Sequence, residues 1–141
     1  MQLQNVKVLI WTNGMRYLLD TNTIIYFLNK DHDVTKKIHL NHDICISVIT
    51  VGELYFGANK SSRKKENTVI YDTYLETMDI LYIDSNIAKQ YAHLKSELRK
   101  IGNPIPDNDI WIAATAIEHN LIIATRDKHL LDQVIIKTEK W

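Results

Sequence analysis

The feature that most constrains the fold is an alternation of short apolar runs with longer segments of helical periodicity. Four apolar runs, at residues 17–19, 44–47, 80–83 and 121–124, are short enough to be buried strands. Helical segments separate each run from the next, and this alternation is typical of a parallel sheet with helices on both faces. The pattern predicts one α/β domain with a short central parallel sheet and a last short strand at residues 134–136.

Four carboxylates follow these apolar runs or begin the helices after them. Asp20 and Asp127 lie just beyond the first and fourth runs. Glu53 lies near the start of the helix after the second run, and Asp109 lies at the start of a strongly apolar helix. In an open parallel sheet the carboxyl ends of the strands share one edge, so distant residues converge there. Because clustered acids repel unless a hard divalent cation neutralises them, the placement predicts a metal-dependent phosphodiester hydrolase.

Three of the acids also have ordinary structural explanations in the sequence. Asp20 suits an Asx turn, and Asp127 suits a solvated turn with little net gain from any ion pair. Thr50 and Glu53 match the capping box, in which a threonine begins a helix and a glutamate three residues later bonds back to it. Each explanation is adequate by itself, but the shared position at one predicted sheet edge favours a common site.

The fourth acid, Asp109, sits where a helix N-terminus stabilises negative charge. That interaction contributes about 0.3–1 kcal/mol and needs no catalytic role. Asp107 or Asn108 is the predicted cap of the same helix, which leaves Asp109 free to face the other acids.

The bulk composition describes an ordinary globular chain. Its 141 residues suit one domain, and 17 basic residues balance 17 acidic ones, so general coating of nucleic acid is not expected. The single cysteine, Cys45, lies in an apolar run and is predicted to be a buried thiol in a reducing compartment. No apolar run approaches the roughly 20 residues of a membrane helix. These features predict a cytoplasmic protein without a membrane partner.

A second methionine, Met15, stands just before the first predicted strand. The residues before it contain nothing that can be tied to chemistry. We therefore expect residues 1–14 to be an N-terminal extension and residues 15–141 to form the single domain.

Three segments carry a resemblance to a known family. They are LLDTN at residues 18–22, TVGELYFG at residues 50–57 and PIPDNDIWIAA at residues 104–114. Together they resemble the three motifs of PIN-domain ribonucleases, and they are most similar to the VapC toxins of bacterial toxin–antitoxin pairs. Residues 121–127 resemble the strand and turn that carry the fourth acid of that family.

The resemblance implies a fold, a cofactor and a set of partners. The fold is a Rossmann-like sheet flanked by helices, and the cofactor is Mg²⁺, with Mn²⁺ as an alternative. The expected activity is RNA cleavage by a homodimer that a cognate antitoxin inhibits, with operator DNA bound only through the antitoxin complex. The metal-binding and catalytic residues implied by the motifs are Asp20, Glu53, Asp109 and Asp127.

Smaller features refine the resemblance. Asn22 and Thr125 match polar residues that orient water or carboxylates in the family. The aromatic residue that often follows the fourth acid is absent, and His129 stands in that region instead. The ending KTEKW at residues 137–141 resembles that of VapC toxins that cut initiator tRNA in its anticodon region, which favours tRNA as the substrate.

An RNA substrate needs a positive surface near the acids. Lysines and arginines cluster at residues 60–65 and at residues 95–100. Any single one of these charges is better explained as solvated surface. The clusters are therefore candidate RNA contacts only as groups.

Two other functional classes fit parts of the sequence. In a noncatalytic binding module, the acids would serve only as caps and turns. In an aspartyl-phosphate phosphatase, Asp20 would be the nucleophile. Those enzymes usually need a second aspartate two residues later, and this chain has Asn22 there.

Overall fold

The computed structural model describes residues 16–41 and 43–141, and the predicted extension at residues 1–14 lies outside them. Within that part of the chain, five strands form one sheet: β1 Tyr17–Leu19, β2 Ile44–Ser47, β3 Asp79–Leu81, β4 Ile122–Thr125 and β5 Thr138–Lys140. The helices between them are α1 Thr21–Leu28, α2 His32–Leu40, α3 Val48–Lys60, α4 Lys64–Leu75, α5 Ser85–Lys100, α6 Asp107–Glu118 and α7 Lys128–Leu131.

All paired strands run parallel, in the order β3-β2-β1-β4-β5. β1 lies at the centre, where Leu18 is in register with Cys45 of β2 and Ile123 of β4. The chain leaves β1 toward β2 on one side and later reaches β4 on the other. In open α/β sheets such a reversal leaves a crevice beyond the carboxyl end of the central strand, where ligands bind. The predicted parallel sheet is confirmed, and its crevice begins at Asp20.

Successive residues of β1 point to opposite faces of the sheet and supply a core on each. Leu18 packs in one cluster with Leu94 of α5 and Ile112 of α6. Leu19 packs in the other cluster, which includes Leu54 of α3. All five side chains are at most 1% exposed, and burying each one stabilises the fold by about 1.5–3 kcal/mol. These two cores hold helices against both faces, as the alternating pattern predicts.

The structure also bears on the cysteine and on membrane insertion. Cys45 is fully buried in β2, and burial raises the pKa of its thiol to about 12. The predicted buried thiol is confirmed. Within the two described ranges, no helix combines the length and apolarity that crossing a bilayer requires.

The last predicted strand is wrong. Val134 and Ile135 lie in a turn and are 98% and 53% exposed, and only Ile136 of that apolar run is buried. The edge strand is β5 instead, where Thr138 is in register with Ile123 of β4. The residues of an edge strand do not all have to be apolar. The most apolar run near the end of the chain is therefore a poor guide to the position of the edge strand.

Candidate active site

Asp20 is the first residue after β1, and both of its carboxylate oxygens are held. Oδ1 accepts a hydrogen bond from the backbone N–H of Thr23 at 2.8 Å, which makes Asp20 the N-cap of α1. Oδ2 accepts a hydrogen bond from the hydroxyl of Thr125, the last residue of β4. The Asx turn considered for Asp20 would bond the backbone two residues on, whereas the observed bond is a helix cap to the N–H three residues on. Since each carboxylate oxygen has a further acceptor position, these bonds fix Asp20 and still leave capacity for a cation.

Glu53 lies inside α3, and a hydroxyl of α1 holds its carboxylate. α3 begins directly after Ser47, whose Oγ accepts a 3.1 Å hydrogen bond from a backbone N–H of the first turn. The predicted capping box is therefore wrong, because Ser47 caps the helix earlier and Thr50 is a buried interior residue. The Oγ1 of Thr21 donates to Oε1 of Glu53 at 2.7 Å. No sequence pattern predicts this contact, because it depends on how α1 packs beside α3.

Asp127 follows β4 and caps α7. Its Oδ1 accepts a hydrogen bond from the backbone N–H of His129 at 2.8 Å, and its own N–H donates to Oγ1 of Thr125 at 2.9 Å. Thr125 thus contacts both Asp20 and Asp127, so one buried hydroxyl links two of the predicted acids. Asn22, the other polar residue singled out in the sequence, is exposed on α1.

Asp109 lies in the first turn of α6 and is affected by the other three acids. Burial is the largest cause of a rise in its pKa from the ordinary 3.8 to about 6. The negative charges that add to this rise are those of Asp127, Glu53 and Asp20, and His129 opposes it. Like charges shift a pKa in this way when they lie close by. The structure therefore brings all four predicted acids together at one edge of the sheet.

The start of α6 differs from the predicted one. The residue before the helix is Pro106, which provides no side-chain cap, and Asp107 is the first helical residue. The carboxylate of Asp107 accepts hydrogen bonds from Nζ of Lys95, at 2.9 Å, and from the hydroxyl of Tyr91. Asp107 and Asn108 both lie inside the helix, so neither is the predicted cap. The carboxylate of Asp107 is bound by α5 instead.

Comparison with known proteins identifies the family of this chain. The model of the PIN domain matches residues 17–135. Ribonuclease VapC2 of Haemophilus influenzae is 35% identical over 130 residues, which cover 90% of this chain and 98% of that protein. The chain belongs to the VapC-type PIN-domain family. Another VapC relative, the tRNA(fMet)-specific endonuclease VapC of Shigella flexneri, is 32% identical over the same shares of the two chains.

Solved structures of VapBC proteins have the same fold as this PIN domain. VapBC2 from Rickettsia felis, bound to a DNA fragment from its promoter, contains a chain with a TM-score of 0.83 and 30% identity. The match covers 90% of this chain and 99% of that one. DNA-bound VapBC from Salmonella typhimurium also gives a TM-score of 0.83, with 28% identity. The similarity extends over nearly the whole of these VapC-type chains.

The acids of this PIN domain provide oxygen ligands, which hard divalent cations prefer. Within residues 16–41 and 43–141, no three His, Cys, Asp or Glu side chains are grouped closely enough to enclose a metal ion by themselves. Mg²⁺ does not need such a cage, because it keeps several waters and takes one or two carboxylates together with substrate phosphates. The pKa of Asp109 is raised by burial and then by the charges of the other three acids, and a bound cation would offset those charges. The donor set could therefore hold Mg²⁺ or Mn²⁺ with water among the ligands.

The two basic clusters of this VapC-type chain differ in how their charges are used. In the first cluster, Lys60 is exposed and lies over an aromatic ring, with its Nζ 4.4 Å from the ring centre. In the second cluster, Lys95 pairs with Asp107 at 2.9 Å and Lys100 pairs with Glu97 at 3.2 Å. The first cluster also contains an ion pair, between Arg63 and Glu66 at 3.9 Å, but it is longer than the two pairs of the second cluster. The first cluster is therefore the less neutralised of the two and the better candidate for an RNA contact.

Proposed function

We propose that this chain is a metal-dependent endoribonuclease toxin of the VapC type, which a cognate antitoxin inhibits. The observation that carries the proposal is the convergence of four carboxylates from separate elements on one sheet edge. Burial, and after it the charges of the other three acids, raise the pKa of Asp109 to about 6, so the fold keeps negative charge together at a cost in stability. Such a cost is expected where the charge serves a bound cation.

The four acids divide into two pairs in the proposed reaction. Asp20 and Asp109 would hold Mg²⁺, or Mn²⁺, directly, and Glu53 and Asp127 would hold a second ion or orient the attacking water. When bound, the cation would polarise the scissile phosphodiester and lower the pKa of a coordinated water.

The contacts of the chain itself would prepare this site before RNA arrives. The Thr21 hydroxyl fixes one oxygen of Glu53, which would keep this carboxylate in place to hold an ion or to orient the attacking water. The buried Thr125 hydroxyl restrains Asp20 while it receives the backbone N–H of Asp127. Such preorganisation lowers the cost of bringing the reacting groups together.

The relatives support a more specific substrate and a set of partners. Two VapC proteins that are 32% and 29% identical to this chain are named tRNA(fMet)-specific endonucleases. We propose tRNA as the substrate, with the anticodon region of initiator tRNA favoured. The VapBC neighbours support a cognate antitoxin as partner, and those bound to DNA support operator binding through the antitoxin complex. The active form is proposed to be a cytoplasmic homodimer.

Expression without an antitoxin tests this function. The wild-type chain should arrest bacterial growth, and Asp20→Asn or Asp109→Asn should relieve the arrest at equal protein levels. Asparagine also caps helices well, so Asp20→Asn keeps that structural role of Asp20. Glu76→Gln is the matched control, because it removes one exposed acid at the end of α4 and should arrest growth as the wild type does.

Other outcomes would point elsewhere. Equal arrest by the wild type and both active-site variants would contradict catalysis and favour a noncatalytic binding module. A trapped phosphoenzyme on Asp20 would favour the phosphatase. Asn22, which stands where such enzymes usually need a second aspartate, argues against that role.

A further inference from the structure

The first turn of α6 is held by its neighbour α5 rather than by a local cap. Pro106 offers no side-chain cap, and Asp107 instead receives hydrogen bonds from Lys95 and Tyr91. Nζ of Lys95 also donates to the hydroxyl oxygen of Tyr91 at 2.9 Å, so the three side chains form a closed triangle. Because an uncapped helix end has N–H groups without intrahelical partners and tends to fray, this triangle supplies a restraint that a local cap would otherwise provide.

Tyr91 makes a second contact with α6, one turn further along. Its ring stacks on the indole of Trp111, with the ring centres 3.7 Å apart and the planes 8° from parallel. Asp107 and Trp111 are four residues apart and therefore lie on the same face of the helix. Asp109 lies between them in sequence and about 200° around the helix from Asp107. One face of this turn is thus fixed to α5 while the opposite face carries an acid of the candidate site.

We propose that Tyr91 and Lys95 are positioning residues for the reaction. Their contacts with Asp107 and Trp111 set the rotation of the first turn of α6 and so keep Asp109 among the other acids. The proposal rests on the function proposed above. The restraint has a clear physical need, because Asp109 is half-buried beside three like charges that push it away from the site.

This role also changes the interpretation of Lys95, which the sequence placed in a candidate RNA-binding cluster. Its ammonium group already donates to Asp107 and to Tyr91. A lysine that binds RNA phosphate would act mainly on substrate affinity and on its salt dependence. A lysine that positions Asp109 would act on the turnover step and on cation binding.

The test compares four variants of the full chain. Lys95→Met removes the ammonium, Tyr91→Phe removes only the hydroxyl and keeps the stacking ring, and Lys95→Arg retains a charged donor. Lys89→Met is the control, because it removes an exposed charge from the same helix. Cleavage of tRNA gives kcat and KM, and titration with Mn²⁺ alone, followed by thermal unfolding, gives the concentration for half-maximal stabilisation.

Lys95→Met is expected to lower kcat about tenfold with KM within about twofold, since small misplacements of catalytic groups have effects of this size or larger. The Mn²⁺ concentration for half-maximal stabilisation should rise severalfold. Tyr91→Phe should move both quantities in the same direction by less, Lys95→Arg should restore most of the loss, and Lys89→Met should match the wild type. Tyr91→Phe keeps the test decisive if Lys95→Met does not fold.

Two results would overturn the proposal. A higher KM with a flatter salt dependence and an unchanged kcat would make Lys95 an RNA contact. A lower Tm with unchanged kcat and Mn²⁺ binding would make the triangle a purely structural feature. If the wild type cleaves no RNA, the proposed function fails, whereas the Mn²⁺ titration still decides whether Lys95 and Tyr91 position the acids.

Discussion

Single residues at this sheet edge combine a structural bond with a candidate chemical role. Asp20 caps α1 and Asp127 caps α7, yet both bond to Thr125 and both contribute to the raised pKa of Asp109. The structural and chemical interpretations of a strand-end acid are therefore not alternatives here. A cap fixes the position of a carboxylate, and a fixed carboxylate is better prepared to bind a cation.

The raised pKa of Asp109 predicts how stability depends on pH without metal. Because the folded-state pKa is about 6 against an ordinary 3.8, the folded protein holds this proton more tightly. Stability from this group is fully present below about pH 4 and is lost as pH rises through about 6. Asp109→Asn should therefore raise the Tm at pH 7 in EDTA. After allowance for solvent screening of a half-buried group, we expect a gain of about 4 °C.

Thermal unfolding in EDTA between pH 4 and pH 7.5 measures this effect. The gain from Asp109→Asn should shrink toward pH 4, where the wild-type carboxyl is protonated. Asp132→Asn, at an exposed position after α7, should show no such trend. A variant less stable than the wild type at pH 7 would mean that the charge of Asp109 is already compensated without a cation.

At the scale of elements, the type and order of most strands and helices could be predicted, but several ends could not. Apolar runs and helical periodicity are local properties, and they identified β1, β2, β3 and β4. Helix starts depend on which of several competing polar residues the fold places at the turn, so Ser47 rather than Thr50 caps α3. The hydrogen bond from the Thr21 hydroxyl to Glu53 joins residues that are 32 positions apart. No local sequence pattern encodes such a contact.

The position of the edge strand β5 was also not predictable from local sequence, and its packing leads to a prediction about stability. Trp141, directly after β5, is 4% exposed and packs on Tyr17 with the ring centres 5.0 Å apart. Trp141→Ala should lower the free energy of unfolding by about 3 kcal/mol. Val134→Ala, in the run wrongly predicted as a strand, should change it by about 0.5 kcal/mol or less, because Val134 is 98% exposed.

Urea denaturation of the two variants checks this difference. Circular dichroism before denaturation establishes that both are folded. Similar losses for Trp141→Ala and Val134→Ala would contradict the observed position of the edge strand.

At the scale of the whole molecule, the parallel sheet explains why so much of the site could be predicted. Strand order reverses at β1, so the ends of β1 and β4 are neighbours although more than a hundred positions separate Asp20 from Thr125. A rule about strand ends therefore predicted the convergence of Asp20 and Asp127, and Glu53 lies in the helix directly after β2. Asp109 lies in the first turn of α6, which follows the helix α5, so that rule alone does not place it. The contacts of α5 with α6 obey no comparable rule, because they depend on the packing of one helix pair, and only the structure reveals them.

The most direct test of the central claim, that the four acids form one metal-dependent site for RNA cleavage, uses purified protein freed of antitoxin. The wild type, Asp20→Asn and Glu76→Gln are incubated with total tRNA and Mg²⁺, and with EDTA in a parallel set. We expect discrete cuts by the wild type and by Glu76→Gln that vanish in EDTA and are missing from a folded Asp20→Asn protein. Equal cutting in EDTA, or by Asp20→Asn, would contradict the claim.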